Sequence, residues 1–320
     1  MKILVTGGAG FIGSHLAEEL LKNEKNDVAI IDNLSTGKLD NIEHLIGNPR
    51  FQYHIDTVLN EEAVDRLTSE CAEVYHLAAA VGVKLVMERP LETIETNVKG
   101  AEIALRYANK YKRQILMTST SEVYGNHIDH TLKEDDNRIM GPIKKWRWAY
   151  ASSKAIDEFL ALAYHLEKKL PVIIARLFNT VGPRQTGAYG MVMPNFVQSA
   201  LLGKPITIYG DGKQTRSFTY VKDVVRAMIA LMDCPKAIGD VFNIGSEEEI
   251  SINDLARKIK KMTNSDSEIV RIPYQEAYGK GFEDMRRRTP NISKIRKLIG
   301  YRPSLTLDEV IMKVIEYFKK

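Results

Sequence analysis

Residues 2–16 read KILVTGGAGFIGSHL: an apolar strand, then three glycines, then the start of an amphipathic helix, with no gap between them. Gly7, Gly10 and Gly13 recur at three-residue spacing across the strand-to-helix turn. Glycines at such a turn let the backbone approach a pyrophosphate, and the free N–H groups and dipole of the new helix favour its negative charge. The stretch therefore predicts a dinucleotide-binding βαβ unit.

An acidic residue closes the next apolar run, DVAIID, nineteen residues after Gly13. A carboxylate at the end of the second strand accepts hydrogen bonds from the adenosine ribose hydroxyls and repels a 2′-phosphate. Asp32 therefore favours NAD over NADP. The alternative is that Asp32 only caps the following loop, residues 33–37, and the glycine context favours the first interpretation.

Composition excludes several classes of protein. The chain has 320 residues, 44% of them hydrophobic, which predicts two lobes with sizeable cores. The 45 basic and 41 acidic residues are interleaved and leave a net charge of +4, so no nucleic-acid or membrane footprint emerges.

The two cysteines, Cys71 and Cys234, have no CxxC spacing, which indicates a reducing compartment and no metal. Because residue 1 opens into a strand and no apolar stretch approaches a membrane span, we expect a cytoplasmic protein.

Apolar runs alternate with helical periodicity through the first half of the chain. This alternation is typical of a Rossmann-type, doubly wound parallel sheet, an α/β fold whose ligands bind at the carboxyl ends of the strands. The predicted strands lie near residues 3–5, 28–31, 52–55, 74–77, 115–117 and 172–176.

The pattern loosens after Gly182 and Pro183 into segments punctuated by proline and glycine, which predicts a smaller second lobe. A helix at 221–232 and a strand at 241–244 are apolar enough to return to the main sheet. We therefore expect a discontinuous division, with residues 1–180 and about 219–245 binding the cofactor, and residues 181–218 and 246–320 binding the substrate.

A tyrosine and a lysine four residues apart, Tyr150 and Lys154, fall in a predicted helix from about Ala149 to Leu166. Four residues are about one helical turn, so both side chains share a face. A lysine ammonium close to a phenol favours the phenolate and makes the phenol a usable base. Thr120, which follows the fifth predicted strand, adds a hydroxyl, and together with the glycines these residues predict hydride removal from a secondary alcohol. Where a tyrosine and a lysine occur at this spacing without a dinucleotide-binding motif, they are more often a half-buried tyrosine beside a surface lysine than a catalytic pair.

Motifs along nearly the whole chain resemble the extended short-chain dehydrogenase/reductase family, specifically its nucleotide-sugar epimerases, dehydratases and decarboxylases. They are TGGAGFIG, the D-N-L after the second strand, HLAAA, STSEVYG, YxxxK, LFNTVGPRQ, IYGDGKQTRSFTYVKDV and RRRTPNISK. The resemblance implies a tightly held NAD, a UDP-linked nucleoside-diphosphate sugar as substrate, and a homodimer formed through helices near residues 97–110 and 150–166.

The resemblance also implies roles for individual residues. Tyr150 would be the base, Lys154 would lower its pKa and contact the nicotinamide ribose, and Thr120 would bridge base and substrate. Cofactor-binding residues would be Gly7, Gly10, Phe11, Ile12, Gly13, Asp32, Asn33, Asp56, Leu77, Ala78, Ala79, Asn97, Tyr150 and Lys154. Substrate-binding residues would be Asn179, Met193, Tyr209, Arg216 and Arg288, with Asn179 and Arg216 at the diphosphate and Tyr209 against the nucleobase.

The reaction within this family is the open question. The triplet Thr120-Ser121-Glu122 resembles that of UDP-glucuronate decarboxylases, in which a 4-keto acid loses carbon dioxide. We expect Ser121 and Glu122 to orient the carboxylate and to reprotonate carbon 5. Arg288 stands where those decarboxylases carry an arginine, and it would hold either the substrate's carboxylate or a phosphate.

Three alternatives stay open. UDP-glucose or UDP-glucuronate 4-epimerisation is the second hypothesis, because Val86 before Pro90 resembles the epimerase pattern; Thr186, however, stands where UDP-glucuronate 4-epimerases carry a second arginine. A 4,6-dehydratase also fits, since some members share the same triplet. An NAD-binding protein without chemistry fits least, because such proteins typically lose the tyrosine or the lysine.

Overall fold

The computed structural model describes residues 1–127, 130–187, 190–278 and 283–319. Its strands are β1 (Lys2–Thr6), β2 (Asp27–Asp32), β3 (Phe51–Ile55), β4 (Glu73–His76), β5 (Gln114–Thr120), β6 (Val172–Leu177), β7 (Thr180–Val181), β8 (Ile206–Tyr209), β9 (Thr215–Ser217), β10 (Thr219–Tyr220), β11 (Asp240–Ile244), β12 (Glu249–Ser251), β13 (Ile269–Ile272) and β14 (Arg287–Arg288).

The helices alternate with these strands in the first half and become shorter later. They are α1 (Phe11–Leu21), α2 (Glu61–Glu70), α3 (Val83–Glu88), α4 (Pro90–Tyr111), α5 (Arg147–Lys168), α6 (Val192–Leu201), α7 (Val221–Met232), α8 (Ile252–Met262), α9 (Tyr274–Tyr278), α10 (Ser293–Ile299) and α11 (Leu307–Phe318).

Within the described residues, seven parallel strands form the central sheet in the order β11-β6-β5-β4-β1-β2-β3. The order reverses at β1, because β2 and β4 flank it on opposite sides. Such a reversal opens a crevice at the carboxyl ends of the strands, where α/β proteins bind their ligands. The predicted doubly wound parallel sheet is confirmed.

Both faces of the sheet are covered, as a parallel sheet requires. In β1, Ile3 and Val5 point to one face and Leu4 to the other, following the period of two residues in a strand. On the first face α1 and α7 supply the core, for example with Leu16 and Val224. On the second face α2 and α4 do so.

A third core cluster lies in the second half of the chain. It joins α6, α8 and α11 around β8, with fully buried Met193, Leu255 and Ile311. Three small sheets of the described residues accompany it, β12-β9-β14, β13-β8 and β10-β7. The predicted helix 221–232 and strand 241–244 match α7 and β11, and β11 pairs with β6 in the central sheet. The division into cofactor and substrate lobes stays a prediction.

Two element boundaries differ from the predictions in ways that affect the site. Thr120 does not follow β5 but ends it, because pairing with β6 continues to Thr120 opposite Leu177. Helix α5 begins at Arg147, two residues earlier than predicted, so Arg147 and Tyr150 lie on neighbouring positions of one helical face.

Candidate active site

A cleft of about 1030 Å³ lies along the carboxyl ends of the central strands and extends to the second half of the chain. Every residue that the sequence assigned to catalysis, cofactor or substrate lines this cleft, with the exception of Asn97. The cleft therefore brings together side chains from all along the chain. Their roles toward a ligand remain predictions.

The glycine turn leaves open space at the start of α1. Gly7 has φ +71°, and a Cβ there would lie 2.9 Å from Ala78 N. A Cβ on Gly13 would lie 2.1 Å from Gly7 O, so this glycine lets α1 pack against the turn. At Gly10, Gly7 O is the one described atom within 4 Å of an added Cβ, and the rest of its surroundings is the cleft. An anion fits here, because α1 begins without a side-chain cap and its first N–H groups have no acceptor within the helix.

Asp32 is held rigidly at the end of β2. Its carboxylate accepts hydrogen bonds from Ala9 N at 3.0 Å and Leu34 N at 2.8 Å. Burial raises the pKa of Asp32, and the hydrogen bonds from the backbone oppose the rise. Asn33 follows it in the cleft wall, and Asp56 lies after the neighbouring strand β3. These positions fit the adenosine end of a dinucleotide.

Asn97, which the sequence analysis assigned to cofactor binding, is not among the described residues that line the cleft, and that role stays a prediction. It is buried in α4, its Oδ1 accepts a hydrogen bond from Ala80 N at 2.8 Å, and its Nδ2 donates to Ser153 Oγ at 3.1 Å. Asn97 thus ties the cleft wall to α5 instead of facing the cleft. Leu77, Ala78 and Ala79 form that wall.

Tyr150 and Lys154 both face the cleft from α5, as predicted. The expected lowering of the tyrosine pKa by the lysine stays a prediction, because other groups dominate the pKa of Tyr150 in this structure. Burial, followed by the charge of Glu122, raises the pKa of Tyr150 well above its ordinary range, while a hydrogen bond with Thr120 opposes the rise. Lys154 Nζ instead lies 2.8 Å from Asp157 Oδ2, one turn further along the helix. Sequence spacing placed the pair on one face but could not show this competing partner.

Five charged side chains form an arginine–carboxylate cluster beside Tyr150. Glu122 binds two guanidiniums: Arg147 Nη1 donates to Oε2, and Arg288 Nη1 donates to Oε1 at 3.0 Å. Asp284 lies 2.7 Å from Arg216 and 3.9 Å from Arg147. These five residues carry three positive charges and two negative ones, so the cluster has one surplus positive charge.

The cluster determines the proton state of Glu122. Burial alone would raise the pKa of this carboxyl, but Arg147 and Arg288 outweigh burial and lower the pKa to about 2. An ionised carboxylate of such low basicity carries no proton to give. The expectation that Glu122 reprotonates carbon 5 therefore conflicts with its surroundings, whereas a role in orienting a charged partner does not. Ser121, buried beside it, also lines the cleft.

The predicted substrate residues Asn179 and Arg216 adjoin Arg288 and Asp284 of the arginine–carboxylate cluster. Asn179 Nδ2 donates to Ser217 O at 2.8 Å, and Asn179 Oδ1 accepts from Arg288 Nη2 at 2.6 Å. Arg216 donates to Asp284 and to Met285 O, so its guanidinium is engaged inside the protein. Fully buried Met193 and partly exposed Tyr209 also line the cleft.

Three residues of the site escaped the sequence analysis: Arg147, Asp157 and Asp284. Arg147 and Asp157 had a usable signal, since each lies three residues from Tyr150 or Lys154 on the same helix. Asp284 had none, because its link to Arg216 spans 68 positions of sequence. Among the described residues no group of three His, Cys, Asp or Glu side chains has the arrangement of a metal site.

Comparisons with known proteins bear on this site. A family model described as GDP-mannose 4,6 dehydratase matches residues 4–314. UDP-N-acetyl-alpha-D-glucosaminuronate decarboxylase of Bacillus cytotoxicus is 43% identical over all of this chain and 98% of that protein. UDP-glucuronic acid decarboxylase 1 of Xenopus tropicalis is 37% identical over all of this chain and 72% of that protein.

A solved structure has a fold closely similar to that of this chain. It is the UDP-glucuronic acid 4-epimerase of Bacillus cereus in complex with UDP-glucuronic acid and NAD. Its TM-score is 0.90 and its identity 33%, with all of this chain and 99% of that chain covered. The similarity therefore extends through the whole fold that carries the cleft.

Proposed function

The chain belongs to the GDP-mannose 4,6-dehydratase family, within the extended short-chain dehydrogenases/reductases, and from this premise we propose that it is an NAD-dependent decarboxylase of a UDP-linked glucuronate. The observation that carries the proposal is the pairing of Arg288 with Glu122 in the cleft, next to Tyr150. A guanidinium that already binds one carboxylate suits the carboxylate of an acidic sugar.

The glycine turn and Asp32 are the residues that would hold NAD. The open space at Gly10 would receive the pyrophosphate, and the Asp32 carboxylate would accept hydrogen bonds from the ribose hydroxyls. NAD, when bound, supplies reversible removal of a hydride from the sugar, so the reaction needs no net oxidant. Leu77, Ala78 and Ala79, which line the cleft after β4, would pack against the cofactor.

Tyr150 and Thr120 act at the sugar's 4-hydroxyl. Once Tyr150 has released its own proton to solvent, its phenolate oxygen accepts the hydroxyl proton, and the Thr120 hydroxyl keeps the ring oriented. Because burial raises the pKa of Tyr150, the resting residue holds its own proton at neutral pH. Ionisation of Tyr150 to the phenolate then depends on the charges around it.

The arginine–carboxylate cluster acts at the sugar's carboxylate. Its surplus positive charge matches one further anion, and the Nε of Arg288 is buried without a hydrogen-bond partner in the described part of the chain. A 4-keto uronate is a β-keto acid and loses carbon dioxide once its carboxylate is held out of the ring plane; the electron pair of the broken bond forms an enolate with the 4-ketone, which then takes up a proton from water at carbon 5. Glu122, ionised between two arginines, keeps Arg288 in position for this step.

The second candidate is 4-epimerisation of the same kind of sugar. It is favoured by Val86, which is buried in α3 against the cleft and stands in an epimerase-like segment, and by the fold similarity to a UDP-glucuronic acid 4-epimerase. Both reactions use the Arg288 carboxylate site. They differ in whether carbon dioxide leaves.

The substituent at carbon 2 of the sugar is either a hydroxyl or an acetamido group. The relative with 43% identity is named for the acetamido sugar, UDP-N-acetyl-alpha-D-glucosaminuronate. The relatives with 35 to 38% identity are named for UDP-glucuronic acid, which has the hydroxyl. Both sugars are therefore substrates to be tested.

The test of the proposal uses the NAD-loaded enzyme and UDP-glucuronate labelled isotopically at its carboxyl carbon, with UDP-N-acetylglucosaminuronate in parallel. We expect release of labelled carbon dioxide without net accumulation of reduced cofactor. Reduced cofactor that accumulates in step with product would indicate a simple dehydrogenase. Retention of the label in a sugar product would favour the epimerase.

The chain also presents a surface suited to a second copy of itself. Leu91 and Ile94 on α4 and Ile156 and Phe159 on α5 are between 37% and 68% exposed, and the two helices pack side by side. Apolar faces of this kind favour association, and the proposed partner is an identical chain. Light scattering on a sizing column should give twice the chain mass of 36.2 kDa.

No described helix combines the length and the apolar character that crossing a membrane requires. Both cysteines are free, which supports a reducing compartment and hence our proposed cytoplasmic location.

A further inference from the structure

Helix α5 carries a buried ion pair directly behind the proposed catalytic face. Lys154 Nζ and Asp157 Oδ2 are 2.8 Å apart, and each residue is 2% exposed. Within the described chain, Lys154 lines the cleft and Asp157 does not. Asp157 therefore lies on the protein side of the lysine, away from any ligand.

Lys154 is the charge partner of Asp157. Both carboxylate oxygens are buried and, apart from the ion pair with Lys154, have no hydrogen-bond partner among the described residues. Burial raises the pKa of Asp157, and the charge of Lys154 opposes the rise. A carboxylate this poorly solvated persists as an ion because the ammonium lies beside it.

The other groups around Tyr150 and Lys154 do not replace this counter-charge. His76 on β4 is buried, and burial followed by the charge of Lys154 lowers its pKa to about 3, so it is neutral at working pH. Glu122 follows β5, and both of its carboxylate oxygens already accept hydrogen bonds, from Arg147 and Arg288. Glu158, next to Asp157, binds Arg176 through both oxygens.

We propose that Asp157 is a positioning residue: its carboxylate neutralises the Lys154 ammonium and so weakens the stabilisation that Lys154 offers to a Tyr150 phenolate. The proposal rests on the proposed function insofar as Tyr150 is the base. The charge of Asp157 also acts on Tyr150 directly and in the same direction, since a nearby anion disfavours a phenolate. Asp157 thereby favours the protonated form of the base.

Asp157→Asn removes the negative charge and retains a group of nearly the same shape. We expect the uncompensated Lys154 to favour the phenolate, so that activity survives to lower pH. The measurement is the pH dependence of sugar-driven cofactor reduction in a single turnover of the holoenzyme. Its acid limb should move to lower pH by about one unit. An acid limb that stays in place in folded D157N protein overturns the proposal.

Glu167→Gln is the matched control, because Glu167 is an exposed carboxylate on the same helix. It should leave the acid limb where it is. A shift of the same size in E167Q would mean that the overall charge of α5, and not the contact with Lys154, sets the profile, and would overturn the proposal.

A second measurement needs neither D157N nor substrate. The ultraviolet absorbance titration of wild-type protein minus that of Tyr150→Phe reports ionisation of Tyr150 alone. The proposal predicts that Tyr150 ionises above the ordinary tyrosine pKa of about 10. Ionisation below that value would show that Lys154 acts unneutralised and would refute it. Absence of turnover with every sugar would refute the proposed function and leave this titration informative.

Discussion

Arg288 Nη1 lies 3.0 Å from Glu122 Oε1, so the guanidinium proposed to bind the substrate's carboxylate already binds a carboxylate of the protein. The two residues are 166 positions apart in sequence and meet at the cleft. Burial and the neighbouring Arg216 lower the pKa of Arg288 to about 10, which still leaves it charged at neutral pH. An acidic sugar can therefore bind the Nε of a cation that Glu122 holds in place, since that Nε has no hydrogen-bond partner among the described residues.

Arg288→Ala should weaken binding of acidic sugars selectively. Loss of a charge-assisted hydrogen bond costs about 1.5–3 kcal/mol, so KM for UDP-glucuronate should rise roughly 10- to 100-fold. The Kd for UDP-glucose, which has no carboxylate, should change little. Arg287→Ala is the matched control, since Arg287 pairs with Glu249 outside the cleft. Equal losses for both sugars would assign Arg288 to the diphosphate instead.

Glu122→Gln should stop the reaction after oxidation. The amide no longer neutralises Arg147 and Arg288, so Arg288 loses its fixed position, and turnover should fall about 10²-fold. NAD binding should remain, and a 4-keto sugar should accumulate, detectable by mass spectrometry after quenching. Glu249→Gln, which removes an arginine-paired carboxylate elsewhere, serves as control. Wild-type turnover in E122Q would remove Glu122 from the mechanism.

Tyr150→Phe should abolish turnover while NAD still binds. The variant lacks only the phenol oxygen that accepts the substrate proton, and loss of an acid–base group costs about 10²- to 10⁴-fold in rate. Calorimetric titration with NAD supplies the binding measurement. If Y150F turns over normally, the chain uses another base or performs no chemistry at Tyr150.

Much of this site could be predicted because strand ends and glycine turns are local in sequence. Gly7, Asp32 and Thr120 each follow or end an apolar run, and parallel strands bring such positions to one edge. The proton states could not be predicted this way. The low pKa of Glu122 depends on Arg288, which is distant in sequence, and the behaviour of Lys154 depends on which side-chain rotamer reaches Asp157.

Two buried histidines should make stability fall on mild acidification. Burial lowers the pKa of His15 to about 4 and of His76 to about 3, against 6.5 in the unfolded chain. Below pH 6.5 these histidines therefore bind protons in the unfolded state but not in the folded state, so the free energy of unfolding decreases as pH falls toward 4. In His15→Gln, the drop in the free energy of unfolding between pH 7 and 5 should be smaller by roughly 2 kcal/mol.

Urea unfolding of wild type and H15Q at the two pH values checks this. His130→Gln is the control, since His130 is exposed. An unchanged drop in H15Q would mean that His15 binds a proton equally well in both states.

The most direct measurement is the mass of the product formed by the NAD-loaded enzyme from UDP-glucuronate, with UDP-N-acetylglucosaminuronate and UDP-glucose in parallel. A decarboxylase that holds an acidic sugar on Arg288 gives a product lighter by one carbon dioxide from at least one acid and none from UDP-glucose. An isomer of unchanged mass from either acid, with no lighter product, would contradict decarboxylation and identify an epimerase.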